Sequence, residues 1–252
     1  MLLENLTWPE VKKLKWNRTI VLFPFGSFEQ HGPHLPLTTD TDIVTAVARA
    51  IEKKRSDKIL CVPTLWPGHS THHLFFPGTL SVSQMPYIQM VIELCRSVVR
   101  MGAQKIFLLN GHGGNDVPLR AALRELKTEF FRTQFVFASY WTLASESIQK
   151  IRESGPGGLA HACEMETSIM LHLHPKRVKQ QLGKRDGPKH TDPYRKADMQ
   201  YARPVYFVNE FHEVTKTGTI GHPDLGSAAK GKRFLEGIVQ AVTAFVDEFA
   251  KW

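Results

Sequence analysis

The stretch over residues 25–42, FGSFEQHGPHLPLTTDTD, concentrates side chains that can bind a metal ion or move a proton. Glu29 and His31 lie two residues apart, and side chains at that spacing in an extended segment point to the same side. Asp40 follows after a loop of prolines and a glycine, which can fold back toward them. Carboxylates and imidazoles together suit Zn, Mn, Fe or Ni, so this stretch predicts part of a metal site.

Further donors lie in two later motifs. His112 stands in NGHGGN, where glycines let the backbone approach a ligand closely. His161, Glu164 and Glu166 belong to HACEMETS, and the two glutamates cannot share one helical face, so we expect different roles for them. Each residue alone also has a structural explanation: a histidine can pack in a turn, Asp40 can cap a helix, and the glutamates can complement a helix dipole. The convergence of these donors at one edge of the predicted sheet favours a metal site.

The elements that must position these donors alternate between strand and helix. Short apolar runs predict strands over residues 19–27, 58–65, 105–115, 133–141 and 204–208. Helical spacing of apolar residues predicts helices over 42–54, 86–102, 116–131, 162–173 and 227–252, and residues 176–203 read as a long loop. This order predicts one α/β domain over residues 1–252, a three-layer α/β/α fold with a mostly parallel central sheet. Ligand sites in such folds lie beyond the carboxyl ends of strands.

The composition is that of a soluble globular protein. Of 252 residues, 42% are hydrophobic and 22% are charged, with a formal net charge of +8. The densest basic stretch, over residues 176–190, has no interleaved aromatic residues for base stacking, so a nucleic-acid partner is not expected. Three cysteines without CxxC spacing predict a reducing compartment. No signal peptide or membrane span is evident, which predicts a cytoplasmic protein.

Four segments, in order, resemble the creatininase family: GSFEQHGPHLPLTTDTD, HSTHHLFFPGTLS, NGHGGN and HACEMETSIMLHLHP. The resemblance implies an α/β metal-dependent amidohydrolase with two divalent ions (Zn, Mn or Fe), a centre that activates water for attack on an amide carbonyl. On the matching positions, Glu29, Asp40 and His112 would hold the first ion. His31 and the bridging Asp40 would hold the second. His161 matches the family's catalytic histidine and would carry the proton that the leaving nitrogen needs.

This chain departs from the creatinine hydrolase at Gly114, where that enzyme has a glutamate that completes its second metal site. We expect Glu164 to replace this carboxylate. Glu166 matches the glutamate of the family's ETS motif and would act in catalysis by orienting a ligand histidine. His73 and Ser70 of the STHH segment, together with Gly114, would contact the substrate.

Two glycine positions bear on the substrate. Gly114 and the sequence Gly-Pro-Gly-Gly at residues 155–158, where the creatinine hydrolase has a tryptophan, take bulk and a stacking group out of the pocket. We therefore expect poor creatinine hydrolysis and a larger small molecule: a formamide, cyclic amide or lactone with a polar or anionic tail. Creatininase itself, a lactone hydrolase and a non-catalytic metal-binding regulatory protein are the alternatives. The resemblance also implies a homo-oligomer, with a hexamer as one form.

Overall fold

The computed structural model describes residues 1–188, 194, 198–201 and 205–252. Its centre is a sheet of four parallel strands: β1 (Ile20–Phe25), β2 (Ile59–Cys61), β3 (Lys105–Asn110) and β4 (Gln134–Ser139). Their order across the sheet is β2-β1-β3-β4. Each strand lies within a predicted one, so the prediction of a mostly parallel sheet is confirmed.

Helices cover both faces of this sheet. They are α1 (Trp8–Lys12), α2 (Thr39–Lys54), α3 (Gln84–Met101), α4 (Asp116–Glu129), α5 (Tyr140–Leu143), α6 (Ser145–Ile151), α7 (Glu164–Leu173), α8 (Phe211–Val214) and α9 (Ala228–Phe249). The helices α2, α7 and α9 pack together on one face, and α3 packs with α4 on the other. The predicted three-layer α/β/α fold is therefore confirmed. No helix within the described residues is both long and apolar enough to cross a bilayer.

The central strands are buried on both faces, which fixes the loops that leave them. Ile20 and Leu22 of β1 pack in the cluster formed with α2 and α9, whereas Val21 and Phe23 pack in the cluster formed with α3 and α4. Burial of each such side chain stabilises the fold by about 1.5–3 kcal/mol. The residues that follow β1 and β3 therefore start from rigid strand ends.

A second, small sheet was not expected from the sequence. The strand β5 (Leu159–His161) pairs antiparallel with β6 (Ile220–Gly221). Segments of two or three residues are too short to show the alternation by which strands are predicted. This pairing brings a late part of the chain next to the segment that carries His161.

The strand predicted over residues 204–208 is wrong for the part that the structure describes. Residues 205–208 form neither a strand nor a helix, and Tyr206 and Val208 are 82% and 78% exposed. Residue 204 lies outside the described residues, as do 189–193, 195–197 and 202–203 of the predicted long loop. An apolar run becomes a strand only where a neighbouring strand can pair with its backbone.

Candidate metal centre

Two strand ends and one helix start meet at the carboxyl edge of the central sheet. Glu29 and His31 follow β1, and His112 follows β3. Asp40 is the second residue of α2, which begins at Thr39 and so earlier than predicted. The chain leaves β1 toward β2 on one side and returns as β3 on the other, and the crevice at such a reversal is the usual ligand site of an open parallel sheet.

Two of the possible donor groups overlap at Asp40. The ligand atoms of Glu29, Asp40 and His112 lie within 4.8 Å of one another, and those of His31, Asp40 and Glu166 do so as well. Asp40 is shared, because its Oδ1 is 3.1 Å from His31 Nε2 and its Oδ2 is 3.0 Å from His112 Nδ1. A carboxylate that turns each oxygen to a different imidazole has the orientation of a bridging ligand.

The donor atoms are better placed to bind a cation than to form hydrogen bonds with one another. Glu29 Oε1 and Asp40 Oδ2 are buried and accept no hydrogen bond from the described residues. Imidazole nitrogens of His73 and His112 lie 3.3 and 3.0 Å from them, but without hydrogen-bond geometry. Since buried polar atoms nearly always have a partner, oxygen and nitrogen lone pairs crowded in this way favour a divalent cation among them.

Charge within the cluster is balanced. Burial alone would raise the pKa of Asp40, but the adjacent His31 and His112 outweigh burial and hold that pKa below its ordinary range. Burial alone would lower the pKa of each histidine, but the carboxylates raise the pKa of His31 to about 9 and that of His112 to about 10. Ligation requires neutral imidazoles, so metal binding is expected to release protons.

Glu166, and not Glu164, reaches this cluster. They are the first and third residues of α7, and a rotation of about 100° per residue turns their side chains to nearly opposite sides. Glu164 accepts hydrogen bonds from Lys230 Nζ at 2.7 Å and from the amides of Glu153 and Ser154 at 3.0 and 2.9 Å. The expectation that Glu164 completes the second metal site is wrong, because a lysine and a loop already occupy its carboxylate.

Glu166 lies beside His31 and Asp40, where the sequence analysis had expected Glu164. Burial raises the pKa of Glu166 to about 7, and its Oε2 accepts a hydrogen bond from the amide of Cys163 at 3.1 Å. A carboxylate oxygen of Glu166 lies among the ligand atoms of His31 and Asp40. Its position is thus that of a candidate ligand, whereas the sequence suggested a residue that only orients a ligand histidine.

His161 faces the cluster from β5. Its Nε2 is 2.8 Å from the carbonyl oxygen of Gln30, to which it donates, so Nδ1 is left on the side of Glu29 Oε1 at 3.7 Å. Burial lowers the pKa of His161 to about 3, which keeps the imidazole neutral. Its ligand atoms also group with those of Glu29 and His31. The following residue, Ala162, has a φ of 50°, a conformation that non-glycine residues rarely adopt outside sites that need it.

Gln30 is a site residue that the sequence analysis missed. Its Nε2 donates to His73 Nδ1 at 2.8 Å, while its Oε1 accepts from the Gly32 amide at 2.9 Å. The proton of His73 is therefore on Nε2, which lies 3.3 Å from Glu29 Oε1. Its position between Glu29 and His31 could have indicated a site residue. In an extended segment, however, the Gln30 side chain would point away from those of its two neighbours, so it was not chosen.

Ser70 supports the ligands. Its hydroxyl is buried, 2.6 Å from Ser27 Oγ and 3.1 Å from His112 Nε2, and Ser27 Oγ donates to Glu29 Oε2 at 3.0 Å. His112 Nε2 is also 3.2 Å from the His69 carbonyl oxygen, which can only accept. The proton of His112 is thus on Nε2, and Nδ1 is the nitrogen available to a metal. Ser70 was predicted to contact the substrate. In the structure it is buried and contacts Ser27 and the candidate ligand His112.

The two glycine positions differ in the space beside them. A Cβ at Gly114 would lie 2.2 Å from the His69 carbonyl oxygen and 2.5 Å from His112 Nε2, so the prediction that Gly114 widens the pocket is wrong. Neighbouring atoms already fill that side. A Cβ at Gly155 or Gly157 would meet nothing within 4 Å, whereas a Cβ at Gly158 would lie 2.3 Å from Ser154 Cβ, and that this loop opens the substrate pocket stays a prediction.

Comparison with known proteins agrees with the donor pattern. A family model described as creatinine amidohydrolase matches residues 4–246. The chain belongs to the creatininase family. A curated family relative, the mycofactocin precursor peptide peptidase of Mycobacterium ulcerans (strain Agy99), is 31% identical over 253 residues, which cover 98% of this chain and 86% of the relative.

Solved structures of creatininases are similar to this chain in fold. A zinc–zinc form of a creatininase variant has a TM-score of 0.83 and 26% identity, covering 98% of this chain and 97% of the other. A manganese creatininase has a TM-score of 0.80 and 27% identity, with the same coverage. Membership of the creatininase family, together with the donor cluster around Asp40, identifies the chain as a metal-dependent amidohydrolase.

Proposed function

We propose that this chain hydrolyses an open-chain amide larger than creatinine, such as a peptide bond, at a centre where two divalent ions would be held around Asp40. The observation that carries the proposal is the shared position of Asp40, which belongs to both donor groups. Glu29 and His112 would complete the first site, and His31 and Glu166 the second. Zn, Mn and Fe suit these oxygen and nitrogen donors. Ions held there would supply a polarised water and a Lewis acid for the substrate carbonyl.

His161 is the proposed proton carrier. Its neutral imidazole donates from Nε2 to the Gln30 carbonyl and keeps the Nδ1 lone pair toward the cluster. That nitrogen can take a proton from the attacking water and pass it to the leaving nitrogen, which is otherwise a very poor leaving group. The hydrogen bond to Gln30 holds the ring in the tautomer that this transfer needs.

His73 is proposed to bind the substrate. Gln30 fixes the proton of His73 on Nε2, on the side of the cluster, so the ring can donate to a substrate oxygen. Ser27 and Ser70 position Glu29 and His112 and need not touch the substrate.

The similarity to a peptide peptidase favours an extended substrate over a small ring. A formamide, a cyclic amide and a lactone are the other substrates that the same chemistry would serve. A regulatory protein without activity is disfavoured, because the family model that matches residues 4–246 is described as creatinine amidohydrolase.

A substrate panel tests this proposal. Protein loaded with Zn²⁺, Mn²⁺ or Fe²⁺ is assayed on short peptides, N-formyl compounds, lactams, lactones and creatinine, with Asp40→Asn as the inactive control. We expect open-chain amides to be turned over with a higher kcat/KM than creatinine. A kcat/KM for creatinine of about 10⁴ M⁻¹s⁻¹ or more, above that of every other compound, would overturn it.

We also propose that the chain self-associates, with a hexamer as the first form to test, and that it works in the cytoplasm. The support is a set of large apolar side chains that remain at the surface of one chain, among them Trp66, Phe75 and Tyr206. Light scattering at several protein concentrations tests the association.

A further inference from the structure

The metal centre is closed to solvent. Glu29 and His31 are 0% exposed, and Asp40, His112 and His161 are also buried. Any substrate, and any hydrated metal ion, must reach donors that are almost entirely shielded from water in this conformation. Part of the wall around the centre must therefore move for either to enter.

Phe211 covers the histidine side of the centre. It is the first residue of the short helix α8, and its ring centroid lies 3.8 Å from that of His73, 4.8 Å from that of His161 and 5.5 Å from that of His72. Phe211 itself is partly exposed, so its ring separates these histidines from solvent.

The segment that carries Phe211 is held firmly on one side. After α8, Asp186 Oδ2 accepts four hydrogen bonds, from the hydroxyls of Thr215 and Thr217 and from the amides of Lys216 and Thr217, at 2.8–3.0 Å. We call this set of contacts the Asp186 clasp. The Gly218 carbonyl then accepts from Gln30 Nε2 at 3.1 Å, which fastens the end of the clasp to the site.

On its other side, α8 follows an irregular segment and contacts the loop after residue 73, where His212 stacks on Phe75 with the ring centroids 4.1 Å apart. Residues 205–210 form no helix or strand, and Tyr206 and Val208 extend into solvent. A four-residue helix fixed by the clasp at its carboxyl end, and preceded by an irregular segment, can swing about that end. Such a movement would take the ring of Phe211 off His73 and His161 without disturbing Gln30.

We propose that Phe211 is the movable wall of the active site and a specificity-determining residue, which admits substrate and metal when α8 swings about the Asp186 clasp. The part that concerns the substrate rests on the proposed hydrolase function. The part that concerns metal entry does not, since it depends only on the closure of the donor cluster.

Metal exchange kinetics test the wall without any assay of activity. Zn²⁺-loaded protein is mixed with excess chromogenic chelator to measure release, and apoprotein is mixed with Zn²⁺ to measure uptake. In Phe211→Ala, release and uptake should both accelerate about tenfold, because the ring contacts with His72, His73 and His161 that hold the closed form are lost. The equilibrium Kd for Zn²⁺ should not change, because the ligands are intact.

Two further variants keep the test decisive. Phe131→Ala removes an aromatic ring that is 70% exposed after α4, away from the site, and should leave both rates unchanged. Phe211→Leu preserves apolar bulk and should fall between Phe211→Ala and the wild type, which also covers the case in which the alanine variant does not fold. Unchanged rates in both Phe211 variants would overturn the proposal. Faster release with unchanged uptake, and hence a weaker Kd, would overturn it too, because Phe211 would then be a structural support of the ligands.

The substrate part has its own measurement. With substrates of graded size from the panel, Phe211→Ala should raise kcat/KM for the bulkiest amide relative to the smallest one. An unchanged ratio together with accelerated metal exchange would overturn the role in specificity and keep the movable wall. If no amide is hydrolysed at all, the proposed function fails while the exchange rates still decide the proposal on Phe211.

Discussion

Glu164 and Glu166 begin the same helix and are both buried, yet they face opposite surroundings. Glu164 accepts from a lysine and two backbone amides, and it ties the loop before β5 to α9. Glu166 accepts from one amide and otherwise faces His31 and Asp40. The charge and lone pairs of the Glu164 carboxylate are already satisfied, so it has no free oxygen with which to bind a metal. Glu166 still has one.

The same difference separates two regions of the molecule. In the donor cluster, Glu29 and Asp40 each keep a buried oxygen without a hydrogen bond from the described residues. Near β5 and β6, by contrast, the carboxylate of Asp186 accepts hydrogen bonds from threonine hydroxyls and backbone amides. The carboxylate of Asp198 accepts from backbone amides and forms a buried ion pair with Arg152. Saturation by hydrogen bonds, more than burial, therefore distinguishes structural carboxylates from candidate ligands, and the carboxylate substitutions below test that rule.

Asp40→Ala should have the largest effect. It removes a donor from both groups, so both ions should be lost, and turnover should fall by about 10³-fold or more as several kcal/mol of transition-state stabilisation disappear. Elemental analysis and turnover measure the two effects. Asp42→Ala is the matched control, because Asp42 lies in the same helix but pairs with Arg177 at 2.8 Å and should keep both ions. Full metal occupancy in Asp40→Ala would exclude the bridging role.

His161→Ala should act on turnover alone. One of its nitrogens is engaged by the Gln30 carbonyl, and a proton carrier contributes about 10²–10⁴-fold to kcat. The metal content should stay at the wild-type level, and His172→Ala on the exposed side of α7 serves as control. If the variant loses one ion as well, His161 is a ligand with Glu29 and His31, the third group that the structure allows.

Glu166→Gln and Glu164→Gln form a matched pair on one helix. Glu166→Gln should weaken one ion by at least about 100-fold, more than the loss of an outer partner would, with little change in stability. Glu164→Gln should leave both affinities unchanged and lower the free energy of unfolding by about 3 kcal/mol, since Lys230 loses its partner at 2.7 Å and keeps only Glu153 at 3.3 Å. Metal competition titrations and urea denaturation separate the two outcomes, and a reversed result would refute the saturation rule.

Asp186 should give the smallest effect, and one that depends on pH. Burial alone would raise its pKa, but hydrogen bonds, chiefly from Thr217, lower that pKa from 3.8 to about 2. A lowered pKa means that the stabilisation is present above pH 3.8 and is lost as the pH falls toward 2. Because Asp186 is largely solvated, we expect less than about 1 kcal/mol. The difference in unfolding free energy between wild type and Asp186→Asn should shrink over this range, and a constant difference would contradict the assignment.

The sequence predicted the sheet well because its strands are continuous apolar runs that any packing must bury. It also predicted Glu29, His31, Asp40 and His112 together, because strand ends of a parallel sheet meet at one edge. These predictions depend on element order alone, which a single sequence displays.

The choice between Glu164 and Glu166 could not be made from the sequence, because it depends on the residue at which α7 begins. A start one or two residues away would rotate both side chains by about 100–200°. The turn at Ala162, with its φ of 50°, sets that start, and no local propensity favours it. Phe211 escaped prediction for a different reason: it begins a helix of only four residues, too short to show a periodic pattern, and only the tertiary fold brings it to His73.

The packing around Gly114 limits the evolutionary routes open to this protein. A glutamate at this position would need space now occupied by the His69 backbone, and a backbone atom cannot rotate away as a side chain can. The single substitution Gly114→Glu should therefore be a dead end, destabilising by about 1–3 kcal/mol or more before it offers any ligand. Residues 69–72 and 114 would have to change together before a carboxylate could be accommodated at this position, so a ligand set that includes residue 114 cannot be reached by single substitutions.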